Sequence, residues 1–269
     1  MIYLLTLVFK TRNKPYTTTL AKIYIMKTHL LIIFLSLTLI SCNQNEIIIN
    51  AGIGGNTTND LLNRINKDVI EKEPNISIIM IGTNDMLNSK KMISYNEYQQ
   101  NLKNIVYKLK KENIKVVLCS PPTVDSIYLF ERHNKNLFID KPNRKLDSIS
   151  KIINKISIEE NIYFIDLNTK FREMNIPIHN KDNYLQNERN SDKRDGVHPT
   201  ELGYSLISET IFSFLMENNL ITQKTKIVCF GDSITFGVGS KGEGTSYGTT
   251  YPAILKENIT KTFANTVYN

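Results

Sequence analysis

Four short segments of this sequence hold residue types that can activate a hydroxyl group and stabilise a developing negative charge. In Gly231-Asp232-Ser233-Ile234-Thr235 a serine follows directly on the apolar run Lys226–Phe230. A serine at the carboxyl end of a buried parallel strand sits where open α/β sheets bind their ligands, and at a helix start backbone N–H groups are aimed at it. In Asp195-Gly196-Val197-His198-Pro199 an aspartate stands three residues before a histidine. A serine hydroxyl is a poor nucleophile until a base takes its proton. The glycines of Asn50-Ala51-Gly52-Ile53-Gly54-Gly55-Asn56-Thr57 let the backbone approach a substrate and expose an N–H. Gly82-Thr83-Asn84-Asp85 offers a side-chain amide. Preplaced donors of these two kinds each stabilise a tetrahedral oxyanion by ~3–4 kcal/mol. Taken singly, Gly55 and Asn84 are residues that turns use in any case. Asp85 and Asp232 read as hydrogen-bonding supports of their turns, and His133 and His179 as surface or substrate-loop histidines.

The elements that must position these segments follow from hydrophobic patterning. Apolar, β-branched runs occur at Glu46–Asn50, Ile76–Ile81, Ile114–Cys119, Ile162–Leu167 and Lys226–Phe230. Their apolarity is continuous rather than alternating, as in parallel strands covered on both faces. Between them, Ser94 and Glu97 form a capping-box pattern ahead of Leu102, Ile105, Val106 and Leu109 at helical spacing. Leu146, Ile149, Ile153 and Ile156 make a second stripe, and Leu202, Leu206, Ile207 and Ile211 a third that starts just after His198. Strands alternating with helices predict an α/β domain with a mostly parallel sheet. Two polar stretches, 168–194 and the Gly-rich 237–248, read as long loops of functional length. The second lacks the Gly-Lys-Ser/Thr ending of a phosphate loop.

Composition narrows the function classes. With 41% hydrophobic and 22% charged residues and three cysteines, the chain is neither disordered nor a disulfide scaffold. Its net charge of +7 is concentrated at the amino end, where Lys10, Arg12, Lys14, Lys22 and Lys27 face no acid within the first 41 residues. The remainder holds 28 basic against 26 acidic side chains, which gives no basic surface for a nucleic-acid partner. From Met26, Lys27 precedes an apolar run Leu30–Ile40, too short to cross a bilayer of ~30 Å but suited to a signal-peptide core. The ending Leu39-Ile40-Ser41-Cys42 resembles the bacterial lipobox, which implies lipidation of Cys42 and a membrane partner reached through that anchor. A plain signal peptide or a membrane anchor is the alternative. The expected organisation is a leader and lipoprotein signal over 1–41 and one domain over 42–269. That implies an exported protein on the periplasmic or cell-surface side, with Asn43 in place of the Asp-type retention signal pointing to the outer membrane. Cys119 and Cys229 then remain as small buried hydrophobes, and no spacing resembles a metal site.

Together the four segments resemble the blocks of the SGNH (GDSL-type) hydrolases. The resemblance implies a three-layer α/β sandwich with a flavodoxin-like five-stranded parallel sheet. It also implies that Ser233 is the nucleophile, His198 the general base and Asp195 the residue that orients it. The oxyanion hole would be the Ser233 and Gly55 N–H groups with the Asn84 amide, and neither metal nor cofactor would take part. In the family the Ser block opens the domain, whereas here the Gly block comes first and the Ser block last. The sequence thus resembles a circularly permuted member, broken between the first family helix (Tyr251-Pro252-Ala253-Ile254-Leu255 onward) and the second family strand, with 220–225 bridging the old ends. The family order then places the Lys226–Phe230 strand between Glu46–Asn50 and Ile76–Ile81, and sets Cys119 and Cys229 two strands apart, beyond disulfide reach.

The activity implied is an acyl-enzyme ester hydrolysis releasing small acyl groups, most plausibly O-acetyl from carbohydrate. A lysophospholipase or thioesterase of the same fold would need a long acyl groove, for which Ile127, Leu129 and Phe130 are candidates. A non-catalytic glycan-binding lipoprotein is the alternative from another class.

Overall fold

The computed structural model describes residues 47–265; the expected leader and Cys42 lie outside the described residues. In chain order the elements are β1 (Ile48–Gly52), α1 (Thr58–Asp68), β2 (Ile76–Met80), α2 (Thr83–Leu87), α3 (Tyr95–Lys111), β3 (Lys115–Cys119), α4 (Ser126–Arg132) and α5 (Pro142–Glu160). They continue with β4 (Tyr163–Ile165), α6 (Leu167–Glu173), α7 (Glu188–Ser191), α8 (Glu201–Glu217), β5 (Ile227–Gly231), α9 (Ser233–Phe236) and α10 (Tyr251–Asn265).

The five strands form one parallel sheet in the order β1-β5-β2-β3-β4. The last of the described strands therefore lies between the first two, the position expected for Lys226–Phe230. Alternate residues of each strand feed two separate cores. Ile79, Val116, Leu118, Val228 and Phe230 pack with Leu61 and Ile65 of α1, Leu102 and Ile105 of α3, and Leu146, Ile149 and Ile153 of α5. Ile76, Ile78, Val117, Ile227 and Cys229 face Leu167 and Phe171 of α6, Tyr204, Ile207 and Ile211 of α8, and Tyr251 and Leu255 of α10. Helices thus cover both faces, and the continuous apolarity of the strands is the consequence. Cys119 and Cys229 are free, buried and separated by β2; burial pushes the Cys229 thiol up to about 12.

Several expected boundaries move, each for a local reason. β1 starts at Ile48 and runs to Gly52, because its ladder pairs Ile48 with Ile227 and Gly52 with Gly231. The strand expected to reach Leu167 stops at Ile165, since Asp166 turns to cap α6 and accepts from the Thr169 N–H at 3.0 Å. The loop expected over 168–194 is interrupted by α6 and by α7, whose cap Asn187 forms a reciprocal box with Asn190. Ser94 does cap α3, accepting from the Glu97 N–H at 3.1 Å, but Glu97 does not close the box; its carboxylate accepts from Asn59 on α1 at 3.0 Å. Glu97 therefore ties two helices together instead of one helix end.

Candidate active site

All strands point the same way, so the segments following β1, β2 and β5 meet at one end of the sheet. β5 delivers Ser233 as the first residue of α9, with Asp232 capping that helix by accepting from the Ile234 N–H at 3.0 Å. Gly52 must be glycine, because a Cβ there would fall on the Phe236 backbone nitrogen of α9. After β1 the chain turns through Gly55 at φ +75°, a left-handed conformation that favours glycine, before Thr57 caps α1 in a reciprocal box with Asp60. Asn84 sits in the first turn of α2, directly after β2. The Asp195–His198 segment precedes α8 and is tied to α4, where the Asp125 N–H donates to Gly196 O at 2.7 Å.

These residues converge. His198 Nε2 lies 2.9 Å from Ser233 Oγ and His198 Nδ1 2.8 Å from Asp195 Oδ2. The other Asp195 oxygen accepts from the Val197 and His198 N–H groups at 2.8 and 2.7 Å. Both side chains are largely buried, with 14% and 13% of their surfaces exposed. Burial pushes the Asp195 carboxyl upward, but its hydrogen bonds and charge interaction with His198, helped by Arg132, outweigh that and hold it well below the usual carboxylate range. The carboxylate thus stays ionised and accepts from Nδ1–H, leaving Nε2 as the acceptor that faces the serine hydroxyl.

Among the described residues no acceptor takes the Ser233 or Gly55 backbone N–H. The Asn84 amide is differently placed from a free donor. It donates to Asn56 O at 3.0 Å and approaches Asp232 Oδ2 at 3.4 Å. One hydrogen is thus committed, while the second faces a distant carboxylate from which an oxyanion can draw it. Asp232 itself is buried, and burial pushes its carboxyl up to about 7. Asp85, fully buried, accepts from both the N–H and hydroxyl of Thr58. Asp232 thus supports its own turn as expected, whereas Asp85, expected to do the same, instead ties the start of α1 to the segment after β2.

Ser233, His198, Gly54, Gly55 and Asn84 line one cleft of about 300 Å³, closed by Leu87, Leu129, Val197 and Val238 and bordered by Asn88, Arg132 and His133. Of the residues proposed for a long acyl groove, only Leu129 reaches this cleft; Ile127 and Phe130 line a separate groove with Phe138 and Ile139. Among the described residues no group of three or more His, Cys, Asp or Glu could hold a metal ion.

Two arginines of the site escape sequence reasoning. Arg132, the last residue of α4, donates from Nη1 to Asp195 Oδ2 at 3.2 Å and from Nη2 to Asp195 O at 2.5 Å. Arg64 of α1 donates to Gly231 O, Ala51 O and Asn56 Oδ1 at 2.8, 2.9 and 2.7 Å, so one guanidinium spans the Ser and Gly segments.

A largely apolar cleft at the carboxyl ends of a parallel sheet, with a serine hydroxyl against an imidazole, defines an α/β protein of the hydrolase type. Residues 21–211 match the GDSL-like lipase/acylhydrolase family, and the chain belongs to it. The matched stretch contains Gly55, Asn84, Asp195 and His198 and ends before Ser233.

The chain is 28% identical over 134 residues to an acetylxylan esterase of Geobacillus stearothermophilus, a match covering 47% of this chain and 57% of that protein. It is 38% identical over 82 residues to the uncharacterized lipoprotein YqeF of Bacillus subtilis (strain 168), covering 29% and 34%. The chain thus spans little more than half of the first relative's length and about a third of the second's. Among solved structures it is similar to a lipase/acylhydrolase from Enterococcus faecalis, with 26% identity and a TM-score of 0.48, covering 61% of this chain and 72% of that one. The acetyl xylan esterase AlAXEase gives the same identity and TM-score, with 61% and 79% covered.

Proposed function

We propose that this protein is a serine ester hydrolase that removes small acyl groups, O-acetyl on carbohydrate foremost. The reading rests on the continuous hydrogen-bonded line Asp195–His198–Ser233 beside two unspent backbone N–H groups. His198 Nε2 takes the Ser233 proton as Oγ attacks the ester carbonyl carbon. Asp195 keeps the proton on Nδ1 and stabilises the imidazolium that forms. The carbonyl oxygen becomes an oxyanion and accepts from the Ser233 and Gly55 N–H groups and from the Asn84 hydrogen that now faces Asp232. Collapse returns the His198 proton to the departing alcohol and leaves an acyl-serine. A water molecule, deprotonated by His198, then repeats the addition and frees the carboxylic acid. Arg132 and the two N–H groups on Asp195 hold the carboxylate so that the imidazole keeps one orientation.

A cleft of about 300 Å³ lies at the lower end of the range for small-molecule sites, which favours short acyl groups. The relative named as an acetylxylan esterase points the same way. The separation of the groove lined by Ile127 and Phe130 from the cleft of Ser233 weighs against a long-chain substrate. We also propose a circular permutation of the family order, on the ground that the serine-bearing strand comes last in the chain yet lies inside the sheet. Anchoring of an exported chain through Cys42 is supported by the relative named as a lipoprotein. No helix among the described residues is long and apolar enough to cross a membrane.

The test compares hydrolysis of 4-nitrophenyl acetate, butyrate and octanoate by the full-length chain and its Ser233→Ala variant. Ser233-dependent turnover falling steeply beyond acetate is expected. A preference for octanoate would move the assignment to lipid or thioester substrates, and no turnover at all would leave a glycan-binding protein.

A further inference from the structure

The cleft carries an imidazole that the proposed reaction leaves unused. His133, just past the end of α4, lines it together with Arg132 and Asn88. Its Nδ1 lies 3.3 Å from the Ser89 N–H and 3.4 Å from Ser89 Oγ. A backbone N–H can only donate, so Nδ1 is the acceptor and the ring proton resides on Nε2. The Ser89 hydroxyl reinforces this arrangement: it accepts from the Asn134 N–H at 3.4 Å, which leaves its own hydrogen free to point at Nδ1. Burial, followed by the charges of Arg132 and Lys90, pushes the ring's affinity for a second proton below the ordinary histidine value. His133 is therefore a neutral ring whose remaining polar atom is a donor. Beside it, Arg132 commits two N–H groups to Asp195 and has three more to offer.

The chemistry of an acetyl ester says what such donors can meet. Its methyl group has no acceptor, and its carbonyl oxygen goes to the N–H groups around Ser233. Every other acceptor on the substrate belongs to the alcohol portion. We propose that His133, held by Ser89 with its proton on Nε2, is the specificity-determining residue for the alcohol portion of the ester, selecting one that carries hydroxyl or ring oxygens. The inference rests on the esterase reading above and adds to it the side of the substrate that is read. A site that hydrogen-bonds its substrate rejects an analogue lacking the matching acceptor more strongly than an apolar wall does, and His133 is half-buried at this one.

The experiment measures kcat and KM of the full-length chain, His133→Phe and His133→Gln on two substrates: mono-O-acetylated xylotriose, and 4-nitrophenyl acetate, whose alcohol lacks a sugar's hydroxyls. For His133→Phe the ratio of kcat/KM on the sugar ester to that on the nitrophenyl ester should fall at least ten-fold, with the loss in KM. His133→Gln, which restores an N–H donor, should recover part of that ratio. An equal change on both substrates, or a glutamine variant no better than phenylalanine, overturns the proposal while leaving the esterase reading intact. Absence of Ser233-dependent turnover of either ester removes the esterase reading instead. Calorimetric binding of xylotriose to the full-length chain and to His133→Phe then decides the matter for His133, and equal affinities overturn it.

Discussion

Replacing Arg64 should damage stability and turnover together, because its guanidinium joins segments that the chain order keeps far apart. The side chain is only 14% exposed, lies 4.5 Å from the Phe230 ring centre and donates to Gly231 O, Ala51 O and Asn56 Oδ1. In Arg64→Ala, Gly231 O keeps the Ile53 N–H at 3.2 Å as a partner, so its loss is partial. The freed Asp68 is partly solvated and adds little. Charged hydrogen bonds to the remaining acceptors, together with the lost stacking, amount to roughly 3–4 kcal/mol. In a domain of this size ~1 kcal/mol moves Tm by ~2–4 °C, so a fall of about 6–16 °C is expected by differential scanning calorimetry. Gly231 immediately precedes Asp232 and Ser233, and Asn56 follows Gly55, so kcat on 4-nitrophenyl acetate should fall as well. Arg64→Lys should recover less than half of the loss, since one ammonium cannot meet three diverging acceptors and stack on a ring. A lysine variant within about 2 °C of the parent, or an alanine variant with full kcat, would refute the reasoning.

Other substitutions test single links. Asn84→Ala should lower kcat by about 10²–10³ with little change in KM if the amide serves the oxyanion; a loss confined to KM would make it a substrate-positioning group instead. Asp232→Asn should alter the pH dependence of stability. The carboxyl ionises near 4 in the unfolded chain and is pushed up to about 7 in the fold by burial. Its contribution is therefore complete below pH ~4 and lost as pH rises through about 7. The asparagine keeps an acceptor for the Ile234 N–H and cannot ionise, so its Tm should decline less than the parent's between pH 4 and 8. Parallel Tm profiles would contradict the assignment.

Much of this architecture is readable from residue order, and what is not readable has a common cause. Continuous apolar runs mark all five strands because both faces of the sheet are covered. Asp195 and His198 are legible because their hydrogen bonds span three residues, which a short motif records. Arg132 reaches Asp195 across 63 residues and Arg64 reaches Gly231 across 167, and no local pattern encodes such distances. Glu97 misleads for the same reason: its spacing from Ser94 satisfies a capping rule, while Asn59 on a neighbouring helix supplies the better-placed donor. His133 stands in an unremarkable polar stretch, and only the approach of Ser89 reveals which nitrogen holds its proton.

The position of β5 also orders events in time. β1 and β2 touch no common ladder except through β5, so a chain emerging from the ribosome has an open seam in its sheet until residues 227–231 arrive. The half built from β2, β3 and β4 can pair early, but β1 must wait beside a missing neighbour for nearly the whole domain to be made. Pairing of this long range closes slowly. The strand that closes the seam is also the one that carries Ser233. Completion of the sheet and delivery of Ser233 to the cleft beside His198 are therefore one event.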